Sequence, residues 1–281
     1  MALRIITDST SDISQKEAKQ KGIIVVPLHN IFASQEYLDG VTITTEEFYE
    51  KLASAEELPT TSQPSPEEFL THFQECKEAG ESVIVLTISS KLSGTYQSAV
   101  IAKDLCEYED IHIIDSATAT IGLYCLIEYA LQLSKQGLAV DEIVSKVEEM
   151  KQKVTIFALL DTLKYLKKGG RLSATAALAG TLLNIKPIVS VKDGVVDVAG
   201  KARGFNGAVK KVVELVEGSG GINPNLPSCI GYTGKQSGVE DFAAYVKDIY
   251  KTHSFSMAAM GSTIGVHAGP GACVVAFFAN N

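Results

Sequence analysis

A serine-bearing turn and a histidine set among glycines are the places where this chain of 281 residues could do chemistry. The run Ser89-Ser90-Lys91-Leu92-Ser93-Gly94-Thr95 leaves an apolar stretch of strand length and enters a helical pattern. Backbone N–H groups at a helix start lack partners, and neighbouring hydroxyls add donors, so the turn suits a carboxylate or a phosphate. A serine at a strand-to-helix turn is also where some hydrolases keep a nucleophile, although Leu92-Ser93-Gly94 lacks the G-x-S-x-G elbow. The second place is Gly261-Ser262-Thr263-Ile264-Gly265-Val266-His267-Ala268-Gly269-Pro270-Gly271. Its glycines permit close backbone approach, and the pattern reads as a glycine-rich loop holding His267 as a functional side chain. His29, His72, His112 and His253 have no such setting and read as structural. Two functions follow: an anion-holding site, or alternatively a serine-dependent acyl hydrolase using Ser93 and His267.

Other short polar groups recur at the same end of the strand candidates: Asp8-Ser9-Thr10 after the first, and Asp115-Ser116 after a later one. Ligands of open α/β sheets collect at that end. Lys167-Lys168-Gly169-Gly170-Arg171 reads as a helix end, where cations meet the dipole and glycine caps the last turn. Arg171 and Arg203 are the basic candidates for a phosphate contact. Dinucleotide, P-loop, H-E-x-x-H and EF-hand patterns are absent, so no nucleotide, metal or other cofactor is expected.

Composition narrows the classes. A net charge of -8 offers no basic face for phosphate backbones, which argues against nucleic acid. Five widely spaced cysteines form no C-x-x-C pair, so neither a disulfide framework nor a zinc site is expected. No apolar run approaches the roughly 20 residues that cross a bilayer, and no signal-peptide pattern opens the sequence. A cytoplasmic, monomeric protein without stable membrane insertion is expected.

The elements that must position these groups are legible as apolar runs. Ile5-Ile6, Ile23 to Val26, Val83 to Ile88 and Ile111 to Ile114 alternate with helical segments, the sign of a mainly parallel sheet. Thr44-Thr45-Glu46-Glu47 and Ser65-Pro66-Glu67-Glu68 are helix starts, each with an acid placed to close a capping box. Two more helices are expected after Ser116 and Val140. From Val154 the strands shorten: Val154 to Leu159, Ile185 to Val191, Val195 to Val198, Cys229 to Tyr232, Phe255 to Met260 and Ala272 to Phe278. Lys192-Asp193-Gly194 marks a hairpin, and helices are expected over Ala174 to Leu183, Ala208 to Val216 and Val239 to Tyr250. The chain thus reads as α/β in two domains. Residues 1–153 make a three-layer α/β/α domain with a mainly parallel sheet, and residues 154–281 an α/β domain with a mixed sheet.

Several segments together resemble the DegV family of bacterial fatty-acid-binding proteins. They are Ile6-Thr7-Asp8-Ser9-Thr10-Ser11-Asp12, Thr60-Thr61-Ser62-Gln63-Pro64-Ser65, Ser90-Lys91-Leu92-Ser93-Gly94-Thr95-Tyr96-Gln97-Ser98-Ala99, Ile114-Asp115-Ser116, Leu163 to Leu172, and Gly265 to Gly271. They fall in family order over nearly the whole chain. The resemblance implies a long-chain fatty acid between the domains, its carboxylate held by Thr61, Ser62, Ser93, Gly94 and His267. It also implies a carrier that catalyses nothing itself and presents the acid to an ATP-dependent fatty acid kinase, whose acyl phosphate feeds phospholipid synthesis. Arg171 and Arg203 match the family, as possible phosphate or kinase contacts. After Arg203 the sequence departs from it: Gly204-Phe205-Asn206-Gly207-Ala208 stands where further basic residues are common.

Overall fold

The computed structural model describes residues 2–173, 184–235, 239–251 and 253–280. The helix expected over 174–183 lies outside the described residues.

Four strands, β1 (Leu3–Asp8), β2 (Ile23–Val26), β6 (Ser82–Thr87) and β7 (Ile111–Asp115), form a parallel sheet in the order β2-β1-β6-β7. Their apolar runs are buried on both faces, as parallel strands covered by helices must be. One face packs α3 (Pro66–Ala79) and α4 (Thr95–Cys106): Phe69, Phe73, Ala99 and Ala102 meet Ile6, Val83 and Val85. The other face takes α1 (Gln15–Lys21), α5 (Ile121–Lys135) and α6 (Val140–Met150), with Ile5, Ile84, Leu86 and Ile114 beneath. The α/β/α layering expected for the first half is therefore present.

Helix starts are where the sequence placed them. The helix α2 (Thr45–Ser54) opens on a capping box in which Glu47 N donates to Thr44 Oγ1 at 3.2 Å and Thr44 N donates to Glu47 Oε2 at 2.9 Å. At α3, Glu68 Oε2 accepts from Ser65 N at 2.7 Å. A three-stranded antiparallel sheet in the order β4-β3-β5 was not expected: β3 (His29–Phe32), β4 (Gln35–Leu38) and β5 (Thr60–Ser62). These strands are too short and too polar to show an apolar period, and pairing defines them.

The second half builds a mixed sheet in the order β10-β9-β8-β13-β11-β12. Its strands are β8 (Val154–Leu159), β9 (Ile185–Lys192), β10 (Val195–Arg203), β11 (Ser228–Tyr232), β12 (Phe255–Ala259) and β13 (Cys273–Phe278). All pairs are antiparallel except β11 with β12. The β9–β10 hairpin turns on Asp193 and Gly194, both at positive φ (49° and 80°), as a two-residue hairpin turn requires. Side-chain alternation sorts the two faces. Phe157, Leu159, Val275 and Phe277 point to α8 (Gly204–Gly218) and α9 (Glu240–Ile249). Ile156, Val274, Ala276 and Phe278 point the other way, into the cluster that contains α5. Period two thus gives one strand two different neighbours.

Helix α5 lies between the two sheets and is buried along most of its length. A single apolar cluster consequently runs from Ile5 and Ile84 of the parallel sheet through Leu123 and Ile127 to Val274 and Ala276 of the mixed sheet. The division at residue 153 falls between α6 and β8, while the core crosses it.

Candidate functional site

In the parallel sheet, chain order runs outward in opposite directions from β1 and β6, so the ends of these strands leave a crevice between diverging loops. Asp8, at the end of β1, spans it: its Oδ2 accepts from Ile88 N at 2.8 Å, and its Oδ1 accepts from Thr10 N and Thr10 Oγ1. Burial pushes the Asp8 carboxyl up to about 6, against those hydrogen bonds.

The glycine-rich stretch is a helix, which corrects its reading as a loop: α10 (Ser262–Ala268) precedes β13. The helix-forming signal is tertiary. Asp39 accepts from Ser262 N at 2.9 Å and Thr263 N at 3.2 Å, while Asp12 Oδ1 accepts from Gly261 N at 2.9 Å. Two acids from the other end of the chain therefore satisfy donors that a helix start leaves open. Asp12 also accepts from Thr120, the residue before α5, which is held at φ 50°, rare for a β-branched side chain. Burial lifts the Asp12 carboxyl to about 8. Glycine is required within α10 and at its C-terminal cap. A side chain at Gly265 would run into Phe48 and Tyr49, and one at Gly269 into Tyr165.

Helix α10 delivers His267 to a cavity between the two sheets. The mixed sheet supplies one wall through its inward residues, among them Ile156, Ala158, Val189, Val196 and Val274. Thr61, Ser93, Arg171 and His267 bring polar groups to the same cavity. Thr61 Oγ1 and His267 Nε2 share a hydrogen bond at 2.9 Å. The ring packs against Gly169, where a β-carbon would collide with it, and among the described residues His267 Nδ1 has no partner. Arg171 Nε donates to Leu92 O at 3.2 Å and its Nη1 to Gly169 O at 2.7 Å, which fixes the guanidinium beside the Ser93 turn. Burial, reinforced by the Arg171 charge, pushes His267 down to about 4, so the imidazole is neutral near pH 7. The cation of this site is the arginine.

The structure separates the sequence candidates. Thr61, Ser93 and His267 meet at the cavity, and Arg171, expected as a phosphate or kinase contact, joins them there. Ser62 is exposed, with its Oγ donating to Gln63 O at 3.4 Å. Gly94 precedes α4 and leaves room for Gln63, whose side chain a β-carbon would strike. Arg203 is exposed at the end of β10, away from the cavity lining. Ser89 and Ser90 of the same turn are committed elsewhere, donating to Gly194 O at 2.8 Å and to Asp115 Oδ2 at 2.5 Å.

A hydrolase arrangement is not formed. Ser93 Oγ shares a hydrogen bond with Thr95 Oγ1 at 2.9 Å, and His267 is paired with Thr61 rather than with the serine. No carboxylate orients the ring's second nitrogen among the described residues, so base and nucleophile are uncoupled. Nor is there, among the described residues, a group of three or more His, Cys, Asp or Glu placed to hold a metal. No helix there is long and apolar enough to cross a membrane.

Thr10 and Thr263 lie in stretches that the sequence marked, whereas Thr120 as a cavity residue and Asp12 and Asp39 as supports were missed. A cluster of small polar residues after β1 was visible, but which of them faces a cavity depends on α10, more than 200 residues away.

The family model described as "Uncharacterised protein, DegV family" matches residues 2–280. A DegV domain-containing protein of Caldanaerobacter subterraneus subsp. tengcongensis is 37% identical over 275 residues, covering 98% of both chains. Among solved structures, a DegV family protein from Thermus thermophilus, described by its fatty acid binding, has a TM-score of 0.91 at 31% identity and covers 99% of this chain and 100% of its own. A stearic acid-binding protein from Eubacterium ventriosum has a TM-score of 0.90 at 29% identity, covering 99% and 98%.

Proposed function

The chain belongs to the DegV family, and from that premise we propose that it binds a long-chain fatty acid in the cavity between its two sheets. One observation carries this reading: an apolar cavity whose lining, among the described residues, includes a single cation, Arg171, grouped with Thr61, Ser93 and His267. That composition matches an amphiphile with one anionic head. Each methylene moved from water to such walls contributes roughly 0.8 kcal/mol, so the tail supplies most of the affinity and the head fixes orientation. Arg171 offers a charge-assisted bond to the carboxylate, and the neutral histidine and two hydroxyls offer further hydrogen bonds. The kinship with proteins from Thermus thermophilus and Eubacterium ventriosum described as fatty-acid binders supports the same assignment.

The finer part of the proposal is that the protein is a cytoplasmic carrier and not an enzyme. It presents the carboxylate to an ATP-dependent fatty acid kinase, which transfers the phosphoryl group. The uncoupled Ser93 and His267 support the absence of hydrolytic chemistry, and the family resemblance supports the kinase. Denaturing extraction of protein purified from a bacterial host, followed by mass spectrometry, tests the binding: a fatty acid at near-stoichiometric yield is expected. Empty protein that also takes up no added fatty acid would overturn it. Reconstitution of the loaded protein with a fatty acid kinase and ATP tests the carrier role by acyl-phosphate formation.

A further inference from the structure

The three-stranded sheet holds helix α10 at two points. Asn30 on β3 stands directly opposite Thr61 on β5, so the two side chains share one face of the sheet. The next pair, His29 and Ser62, turns to the other face, where Ser62 is exposed. On the shared face Thr61 bonds His267 near the end of α10, and Asn30 Nδ2 donates to Oγ of Ser262, the first residue of that helix, at 2.7 Å. The Ser262 hydroxyl donates in turn to Asp39 Oδ1 at 2.5 Å. Ser262 and His267 are five residues apart, about 7.5 Å along a helix that rises 1.5 Å per residue. One cross-strand pair therefore fixes both ends of α10.

Asn30 is a poor choice for stability alone. Its side chain is fully buried, and among the described residues its Oδ1 has no hydrogen-bond partner. An amide buried with its oxygen unpaired is costly, so its presence in a strand calls for an explanation. What it adds over an apolar side chain is the bond to Ser262. We infer that Asn30 is a positioning residue for the carboxylate site: through Ser262 it seats α10 on the sheet and so holds His267 against Thr61. Neither Asn30 nor Ser262 lines the cavity. Asp12 and Asp39 accept from backbone N–H groups at the start of α10, whereas Asn30 ties that start to the strand facing Thr61. A shift of α10 disturbs the hydrogen bonds offered to a carboxylate and leaves the apolar wall of β8, β9 and β13 in place, so the effect falls on the head of the ligand and not on its tail.

The inference rests on the fatty-acid reading, and the test separates the two. Dissociation constants for octadecanoate, tetradecanoate and octadecan-1-ol are measured with delipidated full-length protein. Asn30→Leu keeps the volume and removes the amide. In it the ratio of affinities for octadecanoate over octadecan-1-ol, which has the same tail, is expected to fall about tenfold, while the gain from tetradecanoate to octadecanoate is unchanged. Ser262→Ala is expected to lower the same ratio by a similar factor, and the double variant to add nothing further, because the two residues act through one bond. A purely structural Asn30 would lower stability and leave the ratio where it was. With octadecanoate bound by the unsubstituted protein, an unchanged ratio in either variant, or losses that multiply in the double variant, would overturn this inference alone; if Asn30→Leu does not fold, Ser262→Ala decides the matter by its ratio. Failure of octadecanoate to bind the unsubstituted protein would overturn the proposed function and this inference with it.

Discussion

The polar end of the cavity and its apolar body are made in different ways. The body is a sheet face: Ile156 and Ala158 on β8, Val189 on β9 and Val274 on β13 come from adjacent strands by strict alternation. The polar end is collected from a short edge strand, a turn, a helix end and a helix of seven residues, which supply Thr61, Ser93, Arg171 and His267. A sheet face tolerates change in identity so long as volume is kept, whereas a site gathered from loops depends on individual hydrogen bonds. The body should thus set how much tail is bound, and the end should set whether a carboxylate is accepted.

Four measurements would break or sharpen that contrast. Ala158→Phe projects a ring into the body and should cost about 3 kcal/mol for an eighteen-carbon acid, the loss of about four buried methylenes, while a short acid is affected far less; calorimetric titration across chain lengths reads the difference. Arg171→Ala removes the cation at the head and should weaken binding by roughly 2 kcal/mol with little dependence on chain length. Equal chain-length dependence in both variants would erase the distinction between body and end.

The third measurement concerns pH. His267 is depressed from 6.5 to about 4 in the folded protein, so the unfolded chain takes up a proton more readily. Its contribution to stability is complete above pH 6.5 and is lost as pH falls toward 4. Delipidated wild type should therefore lose roughly 1 kcal/mol relative to His267→Gln between pH 7 and 5.5, measured by denaturant unfolding. Asp8 and Asp12 titrate in the opposite sense, gaining stability as pH falls, and are common to both proteins. A pH-independent difference would show that the ring is not desolvated. The smallest effect is expected from Ser93→Ala, a loss of about 1 kcal/mol or less in binding, because one hydroxyl among several donors is removed.

Legibility in the sequence followed the same division. The strands of both main sheets, the capping boxes at Thr44 and Ser65 and the hairpin at Asp193-Gly194 are local signals, and each formed where its residues indicated. The sheet of β3, β4 and β5 had no such signal, since His29–Phe32 and Gln35–Leu38 carry no apolar period. Helix α10 read as a loop because Gly261, Gly265 and Gly269 disfavour a helix locally, while Asp12 and Asp39 supply its start from a distance. For Arg171 the helix-end context was readable; its direction into the cavity was not, since that depends on Leu92 O and Gly169 O. Ser62 and Gly94 show the converse, residues matched by motif that are not among those lining the cavity.

The strand order of the mixed sheet has a bearing on synthesis. Strand β13 is the last in the sequence yet lies in the middle, between β8 and β11. Until it has left the ribosome, β8-β9-β10 and β11-β12 are two unjoined fragments with open edges, and His267 is absent from the cavity until α10 has emerged just before it. A nascent chain can accumulate the parallel sheet early, whereas the wall that the mixed sheet gives the cavity, and His267 with it, waits for residues 262–278.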